Sequence, residues 1–205
     1  MLRAFQKEAI KSLQLAEPIL SKYKIKLGIE NHKDWRANEL VEALKTLNSE
    51  WMGVTLDFGN SIALLEDPMQ VVETLAPYAF STHIKDMALD EYKNGFLLAE
   101  VPMGQGMLDL PKMVEICLKH NPNIKFNLEM ITRDALEIPC ISTDYWASME
   151  GIPAVDLAKT LTLVKEKKTQ KPIPKISPLS TEDKLAIEEK NIIESFTFAK
   201  TKLGL

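Results

Sequence analysis

Four ionisable residues recur along the chain, each near the end of a short run in which apolar and polar residues alternate. They are Glu30, Asp57, His83 and Glu129. Three carboxylates brought close together repel one another, and a bound divalent cation removes that repulsion. Three oxygen donors with one imidazole suit Mn²⁺, Mg²⁺, Co²⁺ or Zn²⁺ rather than a thiolate-bound metal. The residue types therefore predict a divalent-metal site, provided that the fold brings the four residues together.

The alternating runs are predicted strands with one apolar and one polar face. In the second run, Val54 and Leu56 point to one side, while Thr55 and Asp57 point to the other. Parallel strands that are covered on both faces usually read as continuous apolar runs, so a polar face calls for a functional explanation. All four ionisable residues share this polar parity and lie at or near strand carboxyl ends, where α/β folds bind ligands. The four runs are IKLGIE at 25–30, GVTLD at 53–57, FSTHIK at 80–85 and KFNLEM at 125–130.

Helical patterns separate these strands. Apolar residues at steps of three and four predict a first helix over about 3–22, which Pro18 is expected to kink or end early. The stretch 87–106 is predicted to be a long connection. Alternating strands and helices predict right-handed βαβ units, a parallel sheet and the α/β class, whereas spacing alone leaves a doubly wound sheet and a barrel both open. Further helices are predicted over 37–48, from the Asp67 cap to 76, from the Asp109 cap to 120, and over 153–168.

Composition limits the functional class. The chain has 205 residues, of which 45% are hydrophobic, as in a soluble globular domain. A net charge of -4 gives no basic field for nucleic acid or an anionic membrane, so neither is an expected partner. Cys117 and Cys140 lack metal-type spacing and are expected to be buried thiols. No apolar run approaches the roughly 20 residues of a membrane helix, so the visible chain is expected to be cytoplasmic.

The C-terminal segment differs from the rest in composition. After residue 168 the chain becomes Pro-rich, and Ser180 with Asp183 resembles a capping box for a last helix that reaches about 202. Two regions are therefore predicted. Residues 1–168 form the α/β domain, and residues 169–205 form a linker and a terminal helix that lies over it.

Five segments together resemble a known family. They are LGIENH at 27–32, GVTLDFGNS at 53–61, STHIKD at 81–86, VPMGQGMLD at 101–109 and FNLEM at 126–130. In order and spacing they are similar to the signatures of xylose-isomerase-like sugar isomerases and epimerases, which are (β/α)8 TIM barrels with a Glu, Asp, His and Glu metal site on strands five to eight. The resemblance covers about 1–168. It implies that Glu30, Asp57, His83 and Glu129 are the ligands and that the last four βα units are present.

The resemblance also implies a reaction. In such enzymes the metal binds two adjacent oxygens of a hydroxy-carbonyl substrate and stabilises the enediolate that forms when a neighbouring carbon loses its proton. By resemblance, Glu30 and Glu129 are then also the acid/base pair, and the chain is an isomerase or epimerase of a sugar, sugar phosphate or polyol. A metal-dependent lyase or dehydratase acting on a keto-polyol or dehydroshikimate-like acid is an open alternative, and so is a non-catalytic remnant of the barrel.

Four further residues are candidates for substrate binding. His32 follows the first strand, and Lys85 shares the polar face of the third, where it either binds an anionic group or pairs with Asp57 or Asp86. Arg133 follows the fourth strand. Asn60 stands where many relatives have a histidine, and an amide holds a hydroxyl but binds metal poorly. With only three histidines in the chain, the zinc-cluster endonuclease branch of the family is disfavoured.

Length is the main departure from the family. Barrels of this type need about 250 residues and eight strands, so four strands are missing. Four parallel strands alone are expected to leave two open edges and a half-exposed apolar floor. Three explanations stay open: the sequence is a fragment or starts at an internal Met, it pairs with another half-barrel, or it is a non-catalytic remnant. Dimerisation of half-barrels predicts twice the mass of 23.1 kDa and metal binding.

Overall fold

The structure, a computed structural model, describes residues 2–149 and 151–205. A parallel sheet joins four strands in the order β1-β2-β3-β6, and an antiparallel sheet joins the other three in the order β4-β5-β7. The parallel sheet with its helices confirms the predicted α/β class. The strands are β1 (Leu27–Glu30), β2 (Met52–Asp57), β3 (Ala79–Ile84), β4 (Asp86–Tyr92), β5 (Gly95–Val101), β6 (Lys125–Leu128) and β7 (Leu136–Ile138).

The helices begin and end close to the predicted limits. Asp67 and Asp109 accept hydrogen bonds from backbone N–H groups of the first turns that follow them, as their positions predict. The first helix continues through Pro18 to Tyr23, because its Leu20 is buried in the core and offsets the hydrogen bond that proline cannot make. No described helix is both long and apolar enough to cross a membrane. The helices are α1 (Leu2–Tyr23), α2 (Ala37–Leu47), α3 (Pro68–Leu75), α4 (Leu110–His120), α5 (Thr143–Trp146), α6 (Ala154–Lys167) and α7 (Thr181–Phe198).

The two faces of the parallel sheet differ in chemistry. Apolar side chains such as Val54, Leu56 and Ile84 are buried in the main core together with residues from the helices. The face that carries Glu30, Asp57 and His83, here called the site face, holds instead small or polar residues that are partly or fully exposed. The floor of this face is largely polar, with Gly28, Thr55, Ser81 and Asn127 below the site, and its apolar part is the half-buried Phe80 ring beside Gly53 and Lys26.

The long connection predicted over 87–106 is largely a β-hairpin, so that prediction is wrong. Strands β4 and β5 pair from Asp86↔Val101 to Tyr92↔Gly95, which leaves only Lys93 and Asn94 in the turn. The hairpin is stable because alternate apolar residues on each strand, including Leu89 and Leu98, are buried. The sequence contains the pair Asn94-Gly95, but Gly95 belongs to β5 and pairs with Tyr92, so the two-residue turn is Lys93-Asn94 rather than Asn-Gly. This hairpin, together with β7, forms the second sheet.

Asp86 fixes the path of the chain on both sides of the hairpin. Its side chain is 1% exposed. Its two carboxylate oxygens accept hydrogen bonds of 2.9–3.1 Å from the backbone N–H groups of Met87, Gly104, Gly106 and Leu108. The loop that leads into α4 is therefore held against the end of β3, two residues from Ile84.

The terminal helix packs on the same loop. Ser195 accepts a hydrogen bond from the Met103 N–H at 3.2 Å, and Gln105 donates to Glu194 at 2.7 Å. The Phe198 ring lies so close to Gly104 that any side chain at residue 104 would collide with it. The terminal helix thus lies over the α/β part of the chain, while the division of the chain at residue 168 stays a prediction.

We expect Asp86→Asn to lower the free energy of unfolding by about 3 kcal/mol, because an amide nitrogen cannot accept the hydrogen bonds that one carboxylate oxygen accepts. Urea unfolding followed by circular dichroism measures this change. Glu91→Gln on the same hairpin is the control, since Glu91 is exposed and pairs only with Lys168, and it should change the value by less than about 1 kcal/mol. Equal effects of the two substitutions would contradict the role given to Asp86.

Candidate metal centre

The four candidate ligands lie at one edge of the parallel sheet. Glu30 and Asp57 are the last residues of β1 and β2, His83 is the second-last residue of β3, and Glu129 directly follows β6. Asp57 and His83 are register partners across neighbouring strands. One ligand atom from each of the four residues lies within 4.8 Å of the others. The structure thus brings together all four residues that the alternation of apolar and polar residues along the strands predicts to share one face.

The chemistry of the free atoms fits a cation. Within the described part of the chain, Asp57 Oδ2, His83 Nδ1 and Glu129 Oε2 are buried without a hydrogen-bond partner. His83 Nδ1 lies 3.5 Å from Glu30 Oε1 and 3.5 Å from Glu129 Oε2. Buried polar atoms normally have partners, and a shared cation satisfies several lone pairs at once. The residues present therefore fit a divalent metal bound by carboxylate oxygens and one imidazole nitrogen.

Lys85 already offsets part of the negative charge. Its Nζ lies 2.8 Å from Asp57 Oδ2 and also contacts Glu129 Oε2, and its side chain is 2% exposed. These contacts are ion pairs, so Asp57 Oδ2 and Glu129 Oε2 already face one cation of the chain. With His83 counted as neutral, three carboxylates and one ammonium carry -3 + 1 = -2 charges. One divalent cation neutralises this remainder.

The position of Asp57 is fixed by its neighbours. Its Oδ1 accepts hydrogen bonds from the backbone N–H groups of Gly59 at 2.8 Å and Asn60 at 2.7 Å, so Oδ2 is the oxygen left for the cluster. The buried Asn31 side chain accepts from the Asp57 N–H at 2.8 Å and donates to the Asp57 carbonyl at 2.9 Å. Asn31 therefore ties the ends of β1 and β2 together. Side chains held in this way are pre-organised for a ligand.

The two carboxyl groups beside Lys85 differ in pKa. Burial raises the pKa of Asp57 to about 6, although Lys85 opposes the shift. Glu129 is also desolvated by burial, but Lys85 more than compensates and lowers its pKa. The difference follows from exposure, because the Asp57 side chain is fully buried while the Glu129 side chain is 28% exposed. Glu129 is therefore ionised at neutral pH and open to solvent on one side.

The other predicted site residues surround this cluster. Asn60 Nδ2 donates to Glu30 Oε1 at 3.0 Å, so this residue positions one of the candidate ligands. His32 is exposed at the rim. Arg133 donates to Glu100 Oε1 at 3.1 Å, and Lys85 lies between carboxylates as described. Both cations thus have carboxylate partners within the chain.

Three residues at the site carry no signal in the sequence pattern. Asn31 has the wrong parity for the site face, and Lys33 lies in the loop that follows β1. Glu100 lies on β5 of the unpredicted hairpin, where its 4% exposed side chain also accepts from the Ile131 N–H at 2.7 Å. Recognition of the hairpin in the sequence would have been the route to Glu100.

A cavity of about 940 Å³ lies apart from these residues, between α2, α3 and α6. Its lining includes Arg36, which pairs with Asp156 at 2.6 Å and lies 3.6 Å from Glu66. Glu66 in turn accepts from the Ala37 N–H at 3.1 Å and so caps α2. These contacts join three helices, and none of the four candidate ligands lines the cavity. We therefore assign the chemistry to the sheet edge.

Comparisons with known proteins agree with the fold. The sequence profile of the family described as xylose isomerase-like TIM barrel matches residues 3–151. The 3-oxo-isoapionate decarboxylase of Pectobacterium atrosepticum is 28% identical over 145 residues, which make up 69% of this chain and 53% of that protein. The family match confirms the predicted barrel-type fold, and the chain spans about half the length of this relative.

Two solved structures show the same arrangement of strands and helices. A xylose isomerase-like TIM barrel protein from Mycobacterium smegmatis in complex with magnesium has a TM-score of 0.56 at 18% identity, covering 77% of this chain and 52% of its own. The IOLI protein with a bound zinc atom has a TM-score of 0.50 at 19% identity, covering 82% and 59%. At these identities the likeness concerns the fold alone.

We expect Mn²⁺ to stabilise the protein through the four residues. At about 100 times Kd, mass action gives about 2.7 kcal/mol, which raises Tm by roughly 5–10 °C. Glu129→Gln should remove most of this shift, and differential scanning calorimetry measures it. The affinity should also fall as the pH is lowered through about 6, because protons then compete for Asp57.

Glu115→Gln on the exposed face of α4 is the matched control and should keep the full Mn²⁺ response. An unchanged Tm of the unsubstituted protein on Mn²⁺ addition would contradict the metal assignment.

Proposed function

The chain belongs to the xylose isomerase-like TIM barrel family, and from this we propose that it is a divalent-metal-dependent enzyme that moves a proton next to the carbonyl of a sugar or polyol. The observation that carries this proposal is the convergence of Glu30, Asp57, His83 and Glu129, whose ligand atoms lie within 4.8 Å of one another. This combination suits a metal-dependent isomerase or epimerase, since a cation and a pair of carboxylates can act on adjacent carbons.

The roles of the four residues follow from their surroundings. Asp57 is buried and fixed by Gly59, Asn60 and Asn31, so it would hold metal without moving. His83 would add a neutral nitrogen ligand through Nδ1. The bound divalent cation would supply a Lewis acid that polarises the carbonyl and the neighbouring hydroxyl of the substrate.

Glu30 and Glu129 would move the proton. Both are partly exposed, with side-chain exposures of 30% and 28%, so substrate atoms can reach them. Lys85 keeps Glu129 ionised and able to accept a proton. Asn60 holds one oxygen of Glu30 at 3.0 Å and thereby sets the direction of its carboxyl group. One carboxylate would remove the proton, and the other residue, already protonated, would supply a proton to a neighbouring carbon or to the opposite face.

A second candidate is a lyase acting on a keto acid. It is favoured by the decarboxylase relative, which matches 69% of this chain. Loss of CO₂ from a carbon next to a carbonyl leaves the same kind of electron-rich centre as loss of a proton, so one electrostatic environment serves both reactions. In that case the carbon from which CO₂ leaves would take a proton that comes from solvent, delivered through Glu30 or Glu129 after one of them has been protonated.

Deuterium exchange distinguishes these candidates. With a panel of ketoses in D₂O and Mg²⁺, we expect a mass gain at the carbon next to the carbonyl, and we expect Glu129→Gln to slow the gain by at least about 100-fold. With keto sugar acids, release of CO₂ would favour the lyase. Glu115→Gln again serves as the control. Metal binding without either reaction would contradict the enzymatic proposal and favour a binding role.

We further propose that a second half-barrel completes the site. Leu15, Ile19 and Tyr23 form a stripe at steps of four residues on α1, with exposures of 79%, 59% and 61%. In the described chain β1 and β6 are the unpaired edges of the parallel sheet. The stripe lies on the helix that leads into β1. An apolar stripe beside an open sheet edge favours association, and a second copy of the chain supplies both features.

Light scattering after size exclusion tests completion by a second copy. We expect a mass of 2 × 23.1 = 46.2 kDa, and we expect Ile19→Glu to shift it towards 23.1 kDa, because a carboxylate cannot be buried in the stripe. Ile193→Glu is the matched control, since Ile193 on α7 is equally exposed at 58%. A monomeric unsubstituted chain would contradict dimerisation.

A further inference from the structure

Lys33 is a cation at the site that pairs with no carboxylate of the described residues. It lies in the loop after β1, and its Nζ donates to Asn60 Oδ1 at 2.8 Å and lies 3.5 Å from His32 Nε2. Both of these partners are uncharged groups when His32 is neutral. Among residues 2–149 and 151–205, no carboxylate lies within 4.0 Å of this nitrogen.

The other two cations at the site differ from Lys33 in this respect. Lys85 is held between Asp57 and Glu129, and Arg133 is paired with Glu100. Their charges are therefore neutralised within the chain. An anionic ligand gains least from cations that already have partners and most from one that has none. Lys33 is thus the strongest attraction for an anion at this edge of the sheet.

The surroundings of Lys33 disfavour a charged ammonium group that has no anion beside it. The side chain is partly buried, and this burial is the main cause that lowers its pKa. The positive charges of Lys85 and Arg133 lower the pKa further, while Asp57 and Glu100 oppose the effect from a distance. A desolvated cation near two others is stabilised when an anion binds beside it.

The position of Lys33 links it to the metal cluster. Asn60 bridges the two, since its Nδ2 donates to Glu30 Oε1 at 3.0 Å while its Oδ1 accepts from Lys33 Nζ at 2.8 Å. One amide side chain therefore separates the ammonium from a candidate catalytic carboxylate. The two hydrogen bonds place Lys33 close enough to Glu30 that a short substrate could reach both.

We propose that Lys33, with Asn60 and His32 beside it, forms a subsite for the anionic terminal group of the substrate, so that the substrate is a sugar acid or sugar phosphate rather than a neutral sugar. This inference rests on the proposed function, because it assumes that the reacting carbons lie at the metal cluster. Lys33 would position the substrate and would not exchange protons with it. A lysine suits this role as a compact point charge on a flexible stem.

Binding of matched probes tests this subsite. Erythritol, erythronate and erythritol phosphate share one polyol backbone and differ in their terminal group. Isothermal titration of the Mn²⁺-loaded protein should show tighter binding of one or both anions than of erythritol, and the comparison of the two anions identifies the preferred group. Lys33→Met should weaken the preferred anion by about tenfold or more and leave erythritol unchanged. Lys33→Arg should restore part of the preference.

Lys119→Met is the control, because Lys119 is exposed on α4 and lies outside the site. Mn²⁺ affinity is measured for every variant and should be the same. Loss of anion preference in Lys33→Met with unchanged Mn²⁺ affinity supports the subsite. An unsubstituted protein that binds Mn²⁺ but shows no anion preference, or one whose preference survives in Lys33→Met, overturns the subsite alone. Failure of the unsubstituted protein to bind Mn²⁺ overturns the proposed function and the subsite together.

Discussion

Three carboxylates that meet at one edge of a sheet repel one another, and the rest of this structure is arranged around that repulsion. Asp57 is the most constrained of the three, because it is fully buried and its Oδ1 is already occupied by backbone N–H groups. Lys85 neutralises one unit of charge and leaves a remainder that matches a divalent cation. The same balance gives neighbouring carboxyl groups different pKa values, and proton-transfer chemistry needs such a difference.

The residues at the end of β3 connect the charges of the site to the rest of the fold. His83 and Lys85 point to the site face, while the next residue, Asp86, turns away and accepts four backbone hydrogen bonds. A short stretch therefore supplies a ligand, a counter-charge and the anchor of the hairpin. The hairpin in turn brings Glu100 to the site, where it neutralises Arg133. The second sheet thus decides which cations at the site are left without a partner.

The polar residues of the site face limit where the parallel sheet can form a hydrophobic core. With mostly small or polar residues on one side, the parallel sheet packs its apolar side against the helices, and the second sheet adds buried residues such as Leu89 and Phe96. In the described chain α1 carries an exposed apolar stripe, and β1 and β6 are the unpaired edges of the parallel sheet. The family relationship and the covered half of the relative's length agree with a fold that needs further strands around the same site.

The sequence alone determined the α/β class, the parity that places Glu30, Asp57, His83 and Glu129 on one face, and the helix caps, because strand alternation and capping depend on residues a few positions apart. It did not determine the hairpin or the ion pairs of Lys85. It also did not determine that Lys33 has no carboxylate partner among the described residues. Those features depend on which segments, distant in sequence, come within a few ångströms of one another. A shift of a few ångströms between two charged groups is enough to form or break an ion pair. Only the tertiary structure could therefore decide which charges at the site are neutralised and which one is left for a ligand.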